Sequence, residues 1–265
     1  MADFIISNCG YSAERTSWKN HFHMSYEMIY VKTGTIKLCV NGYNYEISDN
    51  SLIFISCLEE HSITILSETY IRYYITLDPK QLDRLLNSPK LMSIFKNRPS
   101  SFIHVLSAPI NTENILKTIL FETDTKDSFS QDVIISKIHE LLVELFRQDC
   151  SRFPLPDKNM KSEIYEVQRY IEKHFKEDIM IGKLADQFYI NKYYLTHSFK
   201  ELTGYSPKQY LMLNRLSYAK ELLIMTHMDI LEIAVKCGFF DSNSLIRSFK
   251  KEYGITPRNY RHTKK

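Results

Sequence analysis

Glycine is scarce, with seven in 265 residues and none clustered. That excludes the G-x-G-x-x-G turn and the P-loop, which both pack glycines into one short loop so that backbone amides can reach phosphate. Cysteine is sparse as well: Cys9, Cys39, Cys57, Cys150 and Cys237 form an odd, scattered set without a C-x-x-C pair. This argues against a disulfide scaffold or zinc ribbon and for work in the reducing cytoplasm. No apolar run approaches the roughly 18 residues of a membrane helix; the best is a short stretch around Leu52–Ile55. The opening Met-Ala-Asp-Phe-Ile-Ile has neither the basic lead nor the long apolar stretch of a signal peptide. No membrane partner is expected.

What is present is ordinary in amount and uneven in distribution. The chain is 44% hydrophobic and 25% charged, enough to bury a core in one large domain or two smaller ones. Its net charge of +3 hides an asymmetry. Residues 1–156 carry 15 Lys+Arg against 18 Asp+Glu, a net −3, whereas residues 157–265 carry 19 against 13, a net +6. An acidic front and a basic back suggest two domains, the second meeting an anion, with nucleic acid the first candidate.

The hydrophobic period also changes along the chain. Met28–Lys32, Thr35–Val40, Tyr43–Ile47, Ser51–Ile55, Ile63–Leu66 and Ile71–Leu77 read as short β-branched or aromatic strands. Asn41-Gly42 between two of them marks a tight hairpin, because a type I′ turn needs positive φ at both central positions. Evenly spaced short strands mean a sandwich or small barrel. After Pro79 the pattern turns helical over 111–122 and 131–148, where Ile134, Ile138, Leu141, Leu142 and Leu145 form one stripe. That stripe suits either a dimer seam or packing on the chain's own sheet. Residues 150–160, CSRFPLPDKNM, read as a linker. From Lys161 on, everything reads as helix, starting with the apolar face Ile164, Val167, Ile171 and Phe175. The expected domains are 1–149, a linker at 150–160, and 161–265.

The helical half repeats itself. LADQFYINKYYLTHSFKELTGYSPKQY (184–210) aligns with IAVKCGFFDSNSLIRSFKKEYGITPRNY (233–260), which has one extra residue in its turn. Each unit reads as short helix, turn, longer helix. Asn191 and Asp241 suit N-caps of the longer helix, and Gly204 and Gly254 suit its left-handed stop. Ser206-Pro207 and Thr256-Pro257 then restart a helix with a cap followed by proline. A helical wheel places Leu195, Phe199 and Leu202 on the buried face, with Tyr193, His197 and Lys200 opposite and Thr196 at the flank. The second copy buries Leu245 and Phe249 and exposes Asn243, Arg247 and Lys250, with Ile246 at the flank. Arg247 suits the two acceptors of guanine and Asn243 suits adenine, while Thr196 and Ile246 offer methyl contacts for thymine. Lys192, Lys200 and Lys250 suit phosphate. The intervening helix, about twenty residues and so about 30 Å, nearly matches the roughly 34 Å between successive major grooves on one side of DNA.

On Ala234, Gly238-Phe239, Phe249-Lys250-Lys251, Gly254, Thr256-Pro257 and Tyr260-Arg261, the last 100 residues or so resemble the AraC/XylS family of transcription regulators. The resemblance implies a sequence-specific regulator of the α+β two-domain class, with an N-terminal cupin-like β-barrel, accessory helices and a C-terminal all-α double helix-turn-helix. It puts base reading on Tyr193, Thr196 and His197, then on Ser242, Asn243, Ile246 and Arg247. The implied partners are double-stranded DNA, a small-molecule effector, a second copy of the chain and, for an activator, RNA polymerase. Two departures stand out: Ser244-Leu245 replace an aromatic pair, and the first unit offers Tyr and His where longer readers are common.

In the front half, His21-x-His23-x3-Glu27-x6-Gly34 resembles the first cupin motif, and His61 stands where a second-motif histidine falls. Ser56, Leu58 and Ile65 replace that second motif's proline, glycine and asparagine. Three imidazoles and a carboxylate suit a transition metal, but regulators of this layout often keep the trace without metal. A metal centre, an effector pocket and a purely structural or dimerising barrel stay open. The effector pocket is preferred, built from His21, His23, Glu27, His61, Tyr43 and Tyr45, with Tyr73 a further wall, and with no metal or cofactor. A metal-dependent cupin enzyme with a DNA module is the runner-up, and a regulator without a ligand the third reading.

Overall fold

The computed structural model describes residues 4–96, 98, 102–154 and 162–264. The chain folds into two compact units, Met1–Pro156 and Asp157–Lys265.

The first unit is two antiparallel sheets plus helices. Strands β1 (Ile6–Ser12), β2 (Trp18–His21), β3 (Tyr26–Thr33), β4 (Ile36–Val40), β5 (Tyr43–Ile47), β6 (Ser51–Ile55), β7 (His61–Ile65), β8 (Ile71–Leu77) and β9 (Val105–Ser107) form sheets of order β1-β8-β3-β6-β9 and β2-β7-β4-β5. Asn41 and Gly42 both have positive φ, 49° and 86°, and turn β4 into β5 with Val40 opposite Tyr43. β1, β2 and β9 escape a sequence reading because polar residues interrupt the first two, ISNCGYS and WKNH, and the third is only three residues long.

The five-stranded sheet is buried on both faces, which is why β3 and β6 are almost continuously apolar. Its inner face, with Ile29, Val31, Ile53 and Ile55, meets Ile36, Leu38, Val40, Ile47 and Ile63 of the smaller sheet. Its outer face presents Met28, Tyr30, Leu52, Phe54, Tyr73 and Ile75 to the helices. These are α1 (Pro79–Leu86), α2 (Pro89–Met92), α3 (Thr112–Thr125) and α4 (Ser130–Gln148). The α4 stripe Ile134, Ile138, Leu141, Leu142 and Leu145 is at most 1% exposed and belongs to this core. It therefore packs within the chain and is not a dimer seam. Phe153, in the stretch expected as linker, is also buried and meets Phe146 edge-on. Beyond Pro154 the expected linker lies outside the described residues.

The second unit is all helix: α5 (Ser162–His174), α6 (Ile181–Gln187), α7 (Lys192–Thr203), α8 (Pro207–Met225), α9 (Ile230–Lys236), α10 (Ser242–Tyr253) and α11 (Pro257–Lys264). The duplicated caps form as their residue types dictate. Asn191 accepts from the Tyr193 amide at 2.7 Å and Asp241 from the Ser244 amide at 2.6 Å. Gly204 and Gly254 close α7 and α10 at φ 79° and 75°. Ser206 and Gln209 form a reciprocal capping box at the start of α8. Two arginines cap helix ends: Arg215 donates to the Phe175 and Glu177 carbonyls, and Arg261 to those of Leu223 and Met228. Leu216, Ala219, Leu223, Ile233, Ala234, Leu245, Phe249 and Tyr260 form one core beneath the second helix-turn-helix.

Candidate functional site

Two features carry chemistry, one in each unit. In the helical unit, α6–α7 and α9–α10 are the two helix-turn-helix pairs. Leu195 and Phe199 on α7, and Leu245 and Phe249 on α10, are fully buried, so each longer helix is anchored by one face and offers the other. On α7 that other face holds Lys192, Tyr193, Thr196, His197 and Lys200, all exposed. Tyr193 and His197 lie parallel, with ring planes 3° apart, and His197 also approaches Glu201 at 3.5 Å. On α10, Asn243, Arg247 and Lys250 are exposed, and Ser242 and Ile246 are half-buried. Each set of sequence-predicted readers thus lies together on one helix face.

In the sheet unit, His21 ends β2, His61 opens β7 directly across from it, and Glu27 lies near the start of β3. His23 occupies the link between β2 and β3. The three imidazoles place one ring nitrogen each within 4.8 Å of one another. Glu27 Oε2 lies 3.2 Å from His23 Nε2 and 3.3 Å from His61 Nε2. Burial works to raise the Glu27 pKa, but the hydrogen bonds and charges of His23 and His61 overcome it and hold this carboxyl far below the usual range. The same carboxylate and the Glu59 carbonyl raise the His61 pKa against the opposing effect of burial.

A second buried network adjoins this one and was missed from sequence. Glu59 accepts from Arg98 Nη1 at 2.7 Å and from the Ser56 amide at 2.7 Å, and meets His104 Nε2 at 3.1 Å. Burial raises the Glu59 pKa, but Arg98 and His104 outweigh it and bring it down to about 2. Arg98 and His104 come from a stretch without periodicity, so no sequence signal marks them. Arg72 did carry a signal, a lone cation inside the strand IRYYITL. It is 8% exposed and faces inward, its guanidinium 3.5 Å from the Trp18 ring centre and 4.9 Å from that of Tyr74.

The tyrosines divide. Tyr45 packs against the inner core, its hydroxyl 3.1 Å from His104 Nδ1. Tyr43 is 57% exposed at the hairpin and is not brought to the histidine cluster. Tyr73 points the other way, into the outer core, where its hydroxyl donates to Glu113 at 3.1 Å. It does not face the smaller sheet, because strand alternation puts Arg72 and Tyr74 on that side instead.

A buried polar cluster between two sheets, joined in one chain to two capped helix-turn-helix units, defines a ligand-sensing protein that binds DNA. Residues 6–112 match the family profile described as the AraC-like ligand binding domain, and residues 184–263 match a helix-turn-helix domain. The chain is 25% identical over 252 residues to the HTH-type transcriptional activator RhaS of Klebsiella pneumoniae (strain 342), covering 93% of this chain and 88% of that protein. The RhaS of Mannheimia succiniciproducens is 24% identical over 249 residues, 94% of this chain and 91% of that one. Among solved structures, ToxT from Vibrio cholerae O395 bound to (E)-4-(8-methylnaphthalen-1-yl)but-3-enoic acid shares the fold. That match has a TM-score of 0.70 at 16% identity and covers 99% of this chain and 100% of that one. The chain belongs to the AraC family of transcription regulators, with a helix-turn-helix DNA-binding domain and a ligand-binding domain. Among the described residues, no helix is long and apolar enough to cross a membrane.

Proposed function

We propose that α7 and α10 are the base-reading helices and enter successive major grooves of double-stranded DNA. Tyr193, Thr196 and His197, then Ser242, Asn243, Ile246 and Arg247, contact base edges. Lys192, Lys200 and Lys250 hold phosphates. The observation that carries this reading is the matched pair of anchored helices, each buried through a Leu and a Phe and each presenting a polar or basic outer face. α8 has 19 residues, about 28 Å at 1.5 Å per residue, a separator of groove-to-groove length.

The polar region between the two sheets takes a small polar effector. His21, His23, Glu27, His61 and Tyr45 are its polar wall, joined by Arg72, and control is exerted by binding alone with no catalytic step. The regulator works in the cytoplasm as a homodimer. The relatives' designation as activators supports contact with RNA polymerase. Selection of bound sequences from a random DNA pool tests the DNA reading. Paired short motifs about one helical turn apart are expected; a single motif would leave only one unit reading bases.

A further inference from the structure

We propose that α7 selects thymine through its 5-methyl group, by aromatic and methyl contact, and not a purine through paired hydrogen bonds. The inference rests on the reading that α7 lies in the major groove, and it names what that helix selects there. The two units supply their own comparison. Tyr193, Thr196, His197 and Lys200 on α7 align one for one with Asn243, Ile246, Arg247 and Lys250 on α10. On each helix these positions make one stripe at i, i+3, i+4 and i+7. Both helices are 12 residues long and end on a left-handed glycine. What differs is the chemistry of the stripe.

On α10 the stripe carries Asn243 and Arg247, both exposed, and each suits a bidentate pair with a purine. The matching positions on α7 are rings, which lie parallel with 6.2 Å between centroids and 3° between planes. A tyrosine has a single hydroxyl, so it cannot pair with two atoms of one base edge. His197 turns Nε2 toward Glu201 Oε1 at 3.5 Å, which leaves one ring nitrogen for a base. Where α7 has that carboxylate, α10 has Lys251. Thr196 donates its hydroxyl hydrogen to the Lys192 carbonyl at 2.9 Å. It keeps no donor for a base, and its methyl group remains.

A face made of two rings and a methyl discriminates by carbon contact. In the major groove thymine alone among the four bases presents a carbon substituent, the C5-methyl. Contact there takes apolar surface of both partners out of water, and one buried methyl is worth about fourfold in affinity. Tyr193, 80% exposed, holds much of the apolar surface available for it. Lys192 and Lys200 supply attraction that does not depend on sequence, so the rings need only discriminate. The chain thus reads its two half-sites in two chemistries, methyl groups through α7 and donors and acceptors through α10.

The test uses the full-length chain on its selected DNA site, altered one base at a time. Deoxyuridine in place of thymine removes the methyl and keeps every hydrogen-bonding group. A 7-deaza purine removes the N7 acceptor and keeps the base pair. Only the DNA changes, so no folding defect enters. The α7 half-site is the half in which Thr196→Ser or Tyr193→Ala alters base preference. There deoxyuridine is expected to weaken binding about three- to fivefold at one position or more, and 7-deaza purines less than about twofold. In the α10 half, 7-deaza purines weaken it about fivefold. Thr196→Ser keeps the hydroxyl and removes the methyl, and it is expected to shrink the deoxyuridine effect. Indifference to deoxyuridine in the α7 half, or an equal or larger loss on 7-deaza purines there, overturns the inference and leaves α7 a base reader. If neither variant alters preference anywhere, α7 reads no bases, and the proposed role of that helix falls together with the inference.

Discussion

Gly238 and Tyr189 hold equivalent positions in the turns of the two helix-turn-helix units, at φ +80° and +54°. At Gly238 a Cβ would sit 2.6 Å from the Lys176 carbonyl oxygen, backbone that cannot swing aside. Tyr189 is 97% exposed and bears the left-handed conformation without such a neighbour. Gly238→Ala is expected to cost about 2 kcal/mol or more through strain and clash, whereas Tyr189→Gly should stay within about 1 kcal/mol of the wild type. Equal losses in urea titrations of the two variants would refute the distinction. On α10, Arg247→Ala is expected to cost about 1–3 kcal/mol of binding and relax preference at one base pair, while Lys250→Ala weakens all sequences alike. Binding isotherms on a selected site and on single-base variants separate the two roles. If both changes act uniformly across sequences, Arg247 is a phosphate contact and not a reader.

At the scale of elements, Glu113 ties α3 to the five-stranded sheet. It accepts from Lys32 of β3 at 2.9 Å and from the Tyr73 hydroxyl of β8, and pairs with Lys117 one turn along α3. Lys32 and Lys117, helped by Tyr73, bring its pKa down to about 2 against the effect of desolvation. A carboxyl depressed in the folded state binds protons more readily when unfolded. Its contribution is therefore complete above the unfolded value near 4.3 and is lost as pH falls from there toward 2. Denaturant unfolding from pH 6 to pH 2.5 should show a steeper loss for the wild type than for Glu113→Gln, with the gap shrinking in high salt. Parallel curves would mean that the three contacts contribute nothing to stability. The same contacts explain why Tyr73 is misread from sequence as a cavity residue. In IRYYITL both faces are buried, so alternation divides the strand into two sets without saying which set faces the other sheet.

For the whole molecule, the uneven charge has a consequence at long range. The basic half, net +6, brings its lysines and arginines to a polyanion that sheds counterions on binding. With about 6–10 phosphate contacts per chain, affinity for any DNA should fall about 10³–10⁵-fold between 50 and 200 mM salt. A slope near zero on a log–log plot would remove the phosphate contacts from the account. Lys250→Ala should reduce that slope by about one contact, and Arg247→Ala should change it less on the selected site than it changes sequence preference.

The duplicated helical half was legible in the sequence nearly to the residue, because its determinants are local. Asn191, Asp241, Gly204, Gly254 and the Ser-Pro and Thr-Pro restarts act within one helical turn, and a period of 3.6 residues assigns the buried and free faces without reference to the rest of the fold. The Asn41-Gly42 hairpin was legible for the same reason. Tertiary structure alone decided what depends on distant partners: that the α4 stripe is core, that Tyr73 and Arg72 lie on opposite faces of β8, and that Arg98 and His104 converge on Glu59. It also decided that His21 and His61, far apart in the chain, lie opposite each other beside Glu27. Residue type and spacing picked out those four side chains, but only strand pairing across the two sheets brought them together.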